Sequence, residues 1–191
     1  MDCVAERIGK RVDDMQYEVL EKNIIDMIEE QQLKLGYLDE TVRLYYPLSS
    51  LNRFLGTSDD EKMMTKHLEQ FADEVEGRLG RIGVSNKGDR FCIAVPPAGA
   101  GYVHAQLKTD GFLAKFIATV GRHGCTLEDV FAVFYAYSDC VHIEKVDNGE
   151  FDYLVYFEDG KPDDYRYCIT SEMCHVIYHR YTKGDYDDFH F

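Results

Sequence analysis

The segment Leu127-Glu128-Asp129-Val130-Phe131-Ala132-Val133-Phe134-Tyr135-Ala136-Tyr137 is almost wholly apolar, and it begins at the capping-box pattern Thr126-x-x-Asp129. Four short runs rich in Val, Ile, Tyr and Phe follow it, with turn residues between them; they cover residues 141–146, 151–157, 164–170 and 174–182. Runs of this length and composition indicate antiparallel strands. The stretch from Thr126 to Tyr181 therefore predicts a buried helix that leads into a four-stranded antiparallel meander.

The second run of the meander is apolar on both of its faces. Its two alternating sets of residues are Phe151, Tyr153, Val155 and Phe157 on one face, and Leu154 and Tyr156 on the other. A strand that is apolar on both faces is expected at the centre of a covered sheet. Asn148-Gly149, just before this run, is the strongest short hairpin signal in the chain.

The residues before the meander favour helices. Residues 4–35 carry a drifting apolar stripe that Gly36 ends, so we expect one long helix or two helices with a break. This segment is expected to pack on its own domain or, alternatively, to form a dimer. Ser58-x-x-Glu61 predicts the start of a helix that runs to Leu79. A further short helix is expected over residues 113–120, with Asp110 as a candidate cap.

Two shorter β segments are predicted within this helical part. Residues 41–46 form a candidate strand that Pro47 ends, and residues 81–95 form a candidate hairpin that turns at Asn86-Lys87-Gly88. Residues 96–101 contain two prolines and two glycines and are expected to form a surface loop. A phosphate-binding loop would have to lead into a helix, whereas Tyr102-Val103-His104 is expected to be extended.

The charge balance excludes several classes of partner. The chain has 191 residues and 45% apolar composition, with 35 acidic and 21 basic residues that give a formal net charge of −14. Such a surface repels phosphate backbones and anionic lipid headgroups, so nucleic-acid binding through backbone contacts and membrane binding are not expected. An acidic protein that mimics DNA is a weaker alternative.

The six cysteines contain no Cys-x-x-Cys pair, which argues against a structural zinc site. The first residues show no apolar signal region, and no apolar run approaches the roughly 20 residues of a membrane span. We therefore expect a cytoplasmic protein whose thiols are reduced.

His175 and His179 are the strongest candidates for a shared metal ion. On a helix they would share a face at close distance, whereas on a strand they would lie about 13 Å apart. Because the surrounding residues are β-branched and aromatic, we interpret the segment as a strand, and no metal ligand, cofactor-binding residue or catalytic residue is predicted. Cys125, just before the Thr126 cap, is interpreted as a buried thiol rather than a nucleophile.

Tyrosines crowd the predicted meander, and tyrosine is common at protein interfaces. If one face of the sheet is open, five residues are natural candidates to line it as a binding surface. They are His142, Tyr165, Tyr167, His179 and Arg180. The alternative is that helices cover this face.

Two quoted segments carry a resemblance to a known family. They are Tyr156-Phe-Glu-Asp-Gly-Lys-Pro-Asp-Asp-Tyr165 and Val176-Ile-Tyr-His-Arg-Tyr-Thr-Lys-Gly-Asp-Tyr-Asp-Asp-Phe189, with Val84-Ser-Asn-Lys-Gly-Asp-Arg-Phe-Cys-Ile93 as a further match. They resemble a family of unknown function found mainly in gut Firmicutes. The resemblance implies a bacterial cytoplasmic protein and assigns no catalytic residue.

These observations predict one α+β domain over residues 1–191, whose helical N-terminal two-thirds packs on the C-terminal meander. Within it, residues 1–36 are a helical extension, residues 37–137 are mostly helical and residues 138–182 form the meander. The expected function is a non-enzymatic protein-interaction or accessory module that binds an unknown protein as a monomer or homodimer. The alternative is a small-molecule-binding enzyme that joins His142, His179 and a thiol in a Cys/His or metal site.

Overall fold

The computed structural model of the protein describes residues 3–146 and 148–188, with side chains from Tyr17 onward. Its helices are α1 Cys3–Leu35, α2 Leu48–Leu55, α3 Glu61–Leu79, α4 Pro97–Gln106, α5 Phe112–Val120, α6 Leu127–Tyr137 and α7 Lys183–Asp188. Its strands are β1 Val42–Pro47, β2 Gly83–Lys87, β3 Arg90–Val95, β4 Val141–Lys145, β5 Tyr153–Phe157, β6 Arg166–Glu172 and β7 His175–Tyr181. The chain divides into two compact units, residues 1–107 and 108–191.

The first unit contains helices α1–α4 and an antiparallel sheet in the order β1-β3-β2, which we call the N-terminal sheet. The predicted strand at 41–46 and the predicted hairpin at 81–95 are both present, and they belong to this one sheet. The described part of α1 packs within its own unit, where Leu20, Ile24 and Ile28 are fully buried. Dimerisation through α1 stays a prediction, since the side chains of the earlier stripe residues lie outside the described ones.

Two local predictions in this unit were wrong. Helix α3 begins at Glu61, and Asp60 rather than Ser58 is its N-cap, because the Asp60 carboxylate accepts a hydrogen bond of 2.8 Å from the Met63 N–H. Residues 97–106 form α4 instead of a loop and an extended segment. Pro97 occupies the first turn, where proline is favoured, and Gly99 allows α4 to approach the end of α3 closely.

The second unit contains an antiparallel sheet in the order β4-β5-β6-β7, as the meander predicted. Helices α5 and α6 cover one of its faces with a core of aromatic rings, among them Phe112, Phe116 and Phe134. The predicted capping box of α6 is confirmed by hydrogen bonds in both directions between Thr126 and Asp129. Helix α5 begins after Gly111 and has no side-chain cap, so the prediction that Asp110 caps it was wrong.

The α+β class and the four-stranded meander are therefore confirmed. The helices are interspersed with strands rather than confined to the N-terminal two-thirds: three strands lie among the first four helices, and α7 follows the meander. The prediction that residues 1–191 form a single domain stays a prediction. No helix in the described ranges is both long and apolar enough to cross a membrane.

Candidate functional site

The structure divides the five predicted surface residues between the two faces of the meander. Tyr165 and Tyr167 are 4% and 0% exposed, and both belong to the aromatic core beneath α5 and α6. Arg180 pairs with Tyr167 across β6 and β7, so it lies on this same covered face. These three residues therefore do not line an open surface.

Arg180, Tyr167 and Tyr165 belong instead to a buried network around Asp163. The carboxylate oxygen Oδ2 of Asp163 accepts hydrogen bonds from the Tyr167 hydroxyl at 3.0 Å and from the Arg180 guanidinium at 2.9 Å. The other oxygen accepts the Tyr165 backbone N–H at 2.9 Å, and the guanidinium lies over the Tyr165 ring. The side chains of Arg180 and Asp163 are only 4% and 8% exposed, so this ion pair is part of the structural core.

His142 and His179 lie on the opposite face of the sheet, at its two edges. His142 is on β4 and His179 is on β7, three strand spacings apart, which corresponds to roughly 14 Å. His142 stacks on Tyr156, whose ring also lies under the Arg166 guanidinium. The structure therefore does not bring the two histidines of the alternative enzyme site together.

The segment of His175 and His179 is a strand, as predicted from its composition. In the described part of the chain, no group of three or more His, Cys, Asp or Glu residues is placed to hold a metal ion. The two ring nitrogens of His142 face different carboxylates, Glu144 at 3.5 Å and Glu158 at 3.7 Å, so one ion could not use both.

Burial makes two of the thiols poor nucleophiles. Burial raises the pKa of Cys168 to about 12, and burial followed by the nearby Asp129 carboxylate raises the pKa of Cys125. Cys125 was predicted to be a buried thiol, and it is 7% exposed. Cys140 and Cys174, by contrast, are exposed.

We therefore expect iodoacetamide at pH 8 to label Cys140 and Cys174 in the folded chain, and Cys168 only after unfolding in urea. Because burial raises the pKa of Cys168 only in the folded chain, this thiol loses its proton at a lower pH in the unfolded chain than in the folded chain. The stabilising contribution of this thiol is thus fully present below its ordinary pKa of 9.0 and is lost as the pH rises toward about 12. Mass spectrometry of tryptic peptides measures the labelling; equal rates at Cys168 and Cys174 would show that Cys168 is accessible.

Helices α5 and α6 also border an open groove of about 600 Å³ on the second unit. Its floor contains small side chains such as Ala118, Ala132 and Ala136, and its charged rim includes Arg122 and Asp129. These two rim residues pair with each other at 3.4 Å. Lys115 and Thr119 also line the groove, but they form no cluster with the paired Arg122 and Asp129 that indicates a particular ligand.

A more distinctive surface lies on the outer face of the N-terminal sheet. Alternate residues of β1 and β3 such as Tyr46, Phe91 and Ile93 are buried in the core, which turns the intervening residues outward. The register places the outward residues in three rows across the sheet. The rows are Arg43, Ala94 and Gly83; Tyr45, Cys92 and Ser85; and Pro47, Arg90 and Lys87.

These nine positions, which we call the platform, contain three cations and no acidic residue. Tyr45 is 67% exposed at one side of the middle row, beside the small residues Cys92 and Ser85. Arg43, Lys87 and Arg90 are also exposed. Among the residues whose side chains are described, no carboxylate forms an ion pair with any of these three cations. In a chain of net charge −14, the platform is thus a local basic surface around an aromatic ring.

Sequence reasoning missed the platform although its strands were predicted. The signal was the alternation itself: Val42, Leu44 and Tyr46 are apolar, whereas Arg43 and Tyr45 between them are suited to an outer face. Finding the surface required the pairing of β1 with β3, which joins residues about 50 positions apart in the chain.

Comparison with known proteins gives one informative match. A family model described as "Domain of unknown function, E. rectale Gene description (DUF3877)" matches residues 17–190, which is nearly the whole chain. No curated protein and no solved structure is significantly similar to the chain. The family match confirms the resemblance found in the sequence.

Proposed function

The chain belongs to this family of domains of unknown function, and on that premise we propose that it is a non-enzymatic protein-interaction module whose docking surface is the platform. The observation that carries the proposal is the exposed ring of Tyr45 on the same face as Arg43, Lys87 and Arg90. Among the residues whose side chains are described, no carboxylate forms an ion pair with these three cations. Tyrosine and arginine are the residues that most often contribute binding energy at protein interfaces.

The platform is suited to docking because binding there would cost little internal rearrangement. It is the outer side of a hydrogen-bonded sheet whose inner side is buried, so the backbone that carries its residues is held in place. Tyrosine has few rotatable bonds and offers apolar area together with a hydroxyl group. A partner that covers Tyr45 would also supply the counter-charges that the three cations lack.

The other predictions, about partners, location and oligomeric state, remain part of the proposal. We expect no membrane binding, no nucleic-acid binding through backbone contacts, a cytoplasmic location and a monomer or homodimer. The cations of the platform favour an anionic partner over mimicry of DNA, because proteins that bind DNA present cations and would be repelled by this surface.

Photo-cross-linking in cells of the native host tests the docking surface. With a photoreactive phenylalanine analogue at position 45, we expect a discrete covalent adduct with a host protein. The matched control carries the analogue at Tyr135, which is 55% exposed on α6 in the other unit, and we expect no adduct of the same mass there. Adduct formation at position 135 but not at position 45 would place the interaction elsewhere and contradict the proposal.

A further inference from the structure

We infer that the platform binds an extended acidic polypeptide segment with two acidic side chains four residues apart and an apolar side chain midway between them. The inference rests on the proposed function, since it names the partner of the same surface. It follows from where the cations and the tyrosine lie in the three rows of the platform.

The cations occupy only the two outer rows. Arg43 lies in the first row, whereas Arg90 and Lys87 lie next to each other in the third. Successive rows are two residues apart along a strand, or roughly 7 Å, so the two basic ends are separated by about 14 Å along the strand direction. Tyr45 lies between them in the middle row, without a cation beside it.

An extended peptide matches this spacing. Its side chains return to the same face at every second residue, and residues i and i+4 are about 13–14 Å apart. If the segment runs along β1 with an acidic residue i over Arg43, residue i+2 lies over the Tyr45 ring and residue i+4 lies over Pro47. From there Arg90 is one strand spacing away, about 5 Å, and Lys87 is two, so the long side chains of both can extend toward residue i+4. The neighbouring positions are Ala94, Gly83, Ser85 and Cys92, whose small side chains leave room for the backbone of the bound segment.

A single-stranded nucleic acid fits the same surface less well. Its charges repeat along the strand without a gap, so phosphates would also lie over the middle row, where Tyr45, Cys92 and Ser85 supply no positive charge. The net charge of −14 also repels a long polyanion more strongly than a peptide that carries two charges. The observations therefore favour an acidic peptide.

Fluorescence anisotropy with the full chain at low ionic strength tests the inference. The first probe is a labelled peptide with the core Glu-Ser-Phe-Ser-Glu, and the second has the same composition but adjacent glutamates, Ser-Phe-Glu-Glu-Ser. We expect the first probe to bind about fivefold more tightly, because only one end of the platform can pair with adjacent glutamates. A labelled ten-nucleotide oligothymidylate is the third probe, and we expect it to bind more weakly than the first peptide.

Variants show whether the binding occurs at the platform. We expect Arg43→Ala and Arg90→Ala each to weaken binding of the first peptide by about fivefold, and the double variant Arg43→Glu, Arg90→Glu to weaken it by at least about twentyfold. The matched control, Lys62→Glu with Lys66→Glu, makes the same charge change at exposed positions of α3 and is expected to have less than a twofold effect.

Three results would overturn the inference. The first is equal affinity for the two peptides. The second is tighter binding of the oligothymidylate than of the first peptide, with the oligothymidylate binding abolished by the platform variants. The third is binding of the first peptide that the platform reversal and the control reversal weaken equally. If any of these results appears while the cross-link at position 45 persists, the platform is a docking surface for another partner and the proposed function stands. If the cross-link is also absent, both fail.

Discussion

Replacing Asp163 with alanine is expected to lower the free energy of unfolding by about 3–5 kcal/mol, the cost of breaking a buried ion pair by removing one of its members. The Asp163 carboxylate receives hydrogen bonds from the Tyr167 hydroxyl, the Arg180 guanidinium and the Tyr165 backbone N–H. Because the Arg180 side chain is only 4% exposed, water cannot replace the lost carboxylate without opening the core. Urea denaturation followed by circular dichroism measures the effect.

Two further variants separate this explanation from a general loss of packing. Asp139→Ala removes an exposed carboxylate just before β4 and is expected to change stability by less than about 0.5 kcal/mol. Adding Arg180→Met to Asp163→Ala removes the buried guanidinium that has lost its ion pair with Asp163, so we expect it to restore part of the stability. A loss below about 1 kcal/mol for Asp163→Ala alone would show that the network contributes little.

Replacing Gly99 with alanine is expected to lower the free energy of unfolding of the first unit by about 3 kcal/mol, as overpacking of a closely packed site does. A Cβ atom at this position would overlap the backbone carbonyl oxygen of Leu79 and would lie 2.6 Å from the Val95 side chain. Since the carbonyl belongs to the end of α3, it cannot move aside without shifting the helix. Thermal and urea denaturation of the variant measure the cost.

Gly77→Ala is the matched control for this substitution. Gly77 is an exposed residue within α3, and an added Cβ would meet no atom within 4 Å. Alanine is favoured over glycine within a helix, so we expect stabilisation by about 0.5–1 kcal/mol. If Gly99→Ala left the free energy of unfolding unchanged, or raised it as Gly77→Ala is expected to do, the result would contradict the close approach of α4 to α3.

The sequence predicted the elements whose signals are local. The Thr126 capping box, the apolar α6 and the alternating runs of the meander act within about a dozen residues, and the structure confirms them. Helix α4 was not predicted because Pro96, Pro97, Gly99 and Gly101 at its start are residue types typical of loops. Pro97 is tolerated at a helix start, and the reason for Gly99 lies in its contact with Leu79, which no local pattern displays.

The predicted binding surface on the meander was wrong because side chains alternate between the two faces of a strand. His179 and Arg180 are neighbours on β7, so their side chains point to opposite faces and cannot line the same surface. The packing of α5 and α6 decided which face of the meander they cover, and the sequence does not display that packing. The platform depends on the pairing of three strands, and only the register of β1 with β3 places Arg43 and Arg90 on the same face of one sheet.

The cross-link at position 45, measured in charge-reversal variants, tests the docking surface most directly. The photoreactive analogue is combined either with Arg43→Glu and Arg90→Glu or with Lys62→Glu and Lys66→Glu, and the yield of the host-protein adduct is compared in cells. We expect reversal on the platform to abolish the adduct and the control reversal on α3 to preserve it. Equal yields in the two variants, or no adduct from the unreversed chain, would contradict the claim that the platform docks a partner.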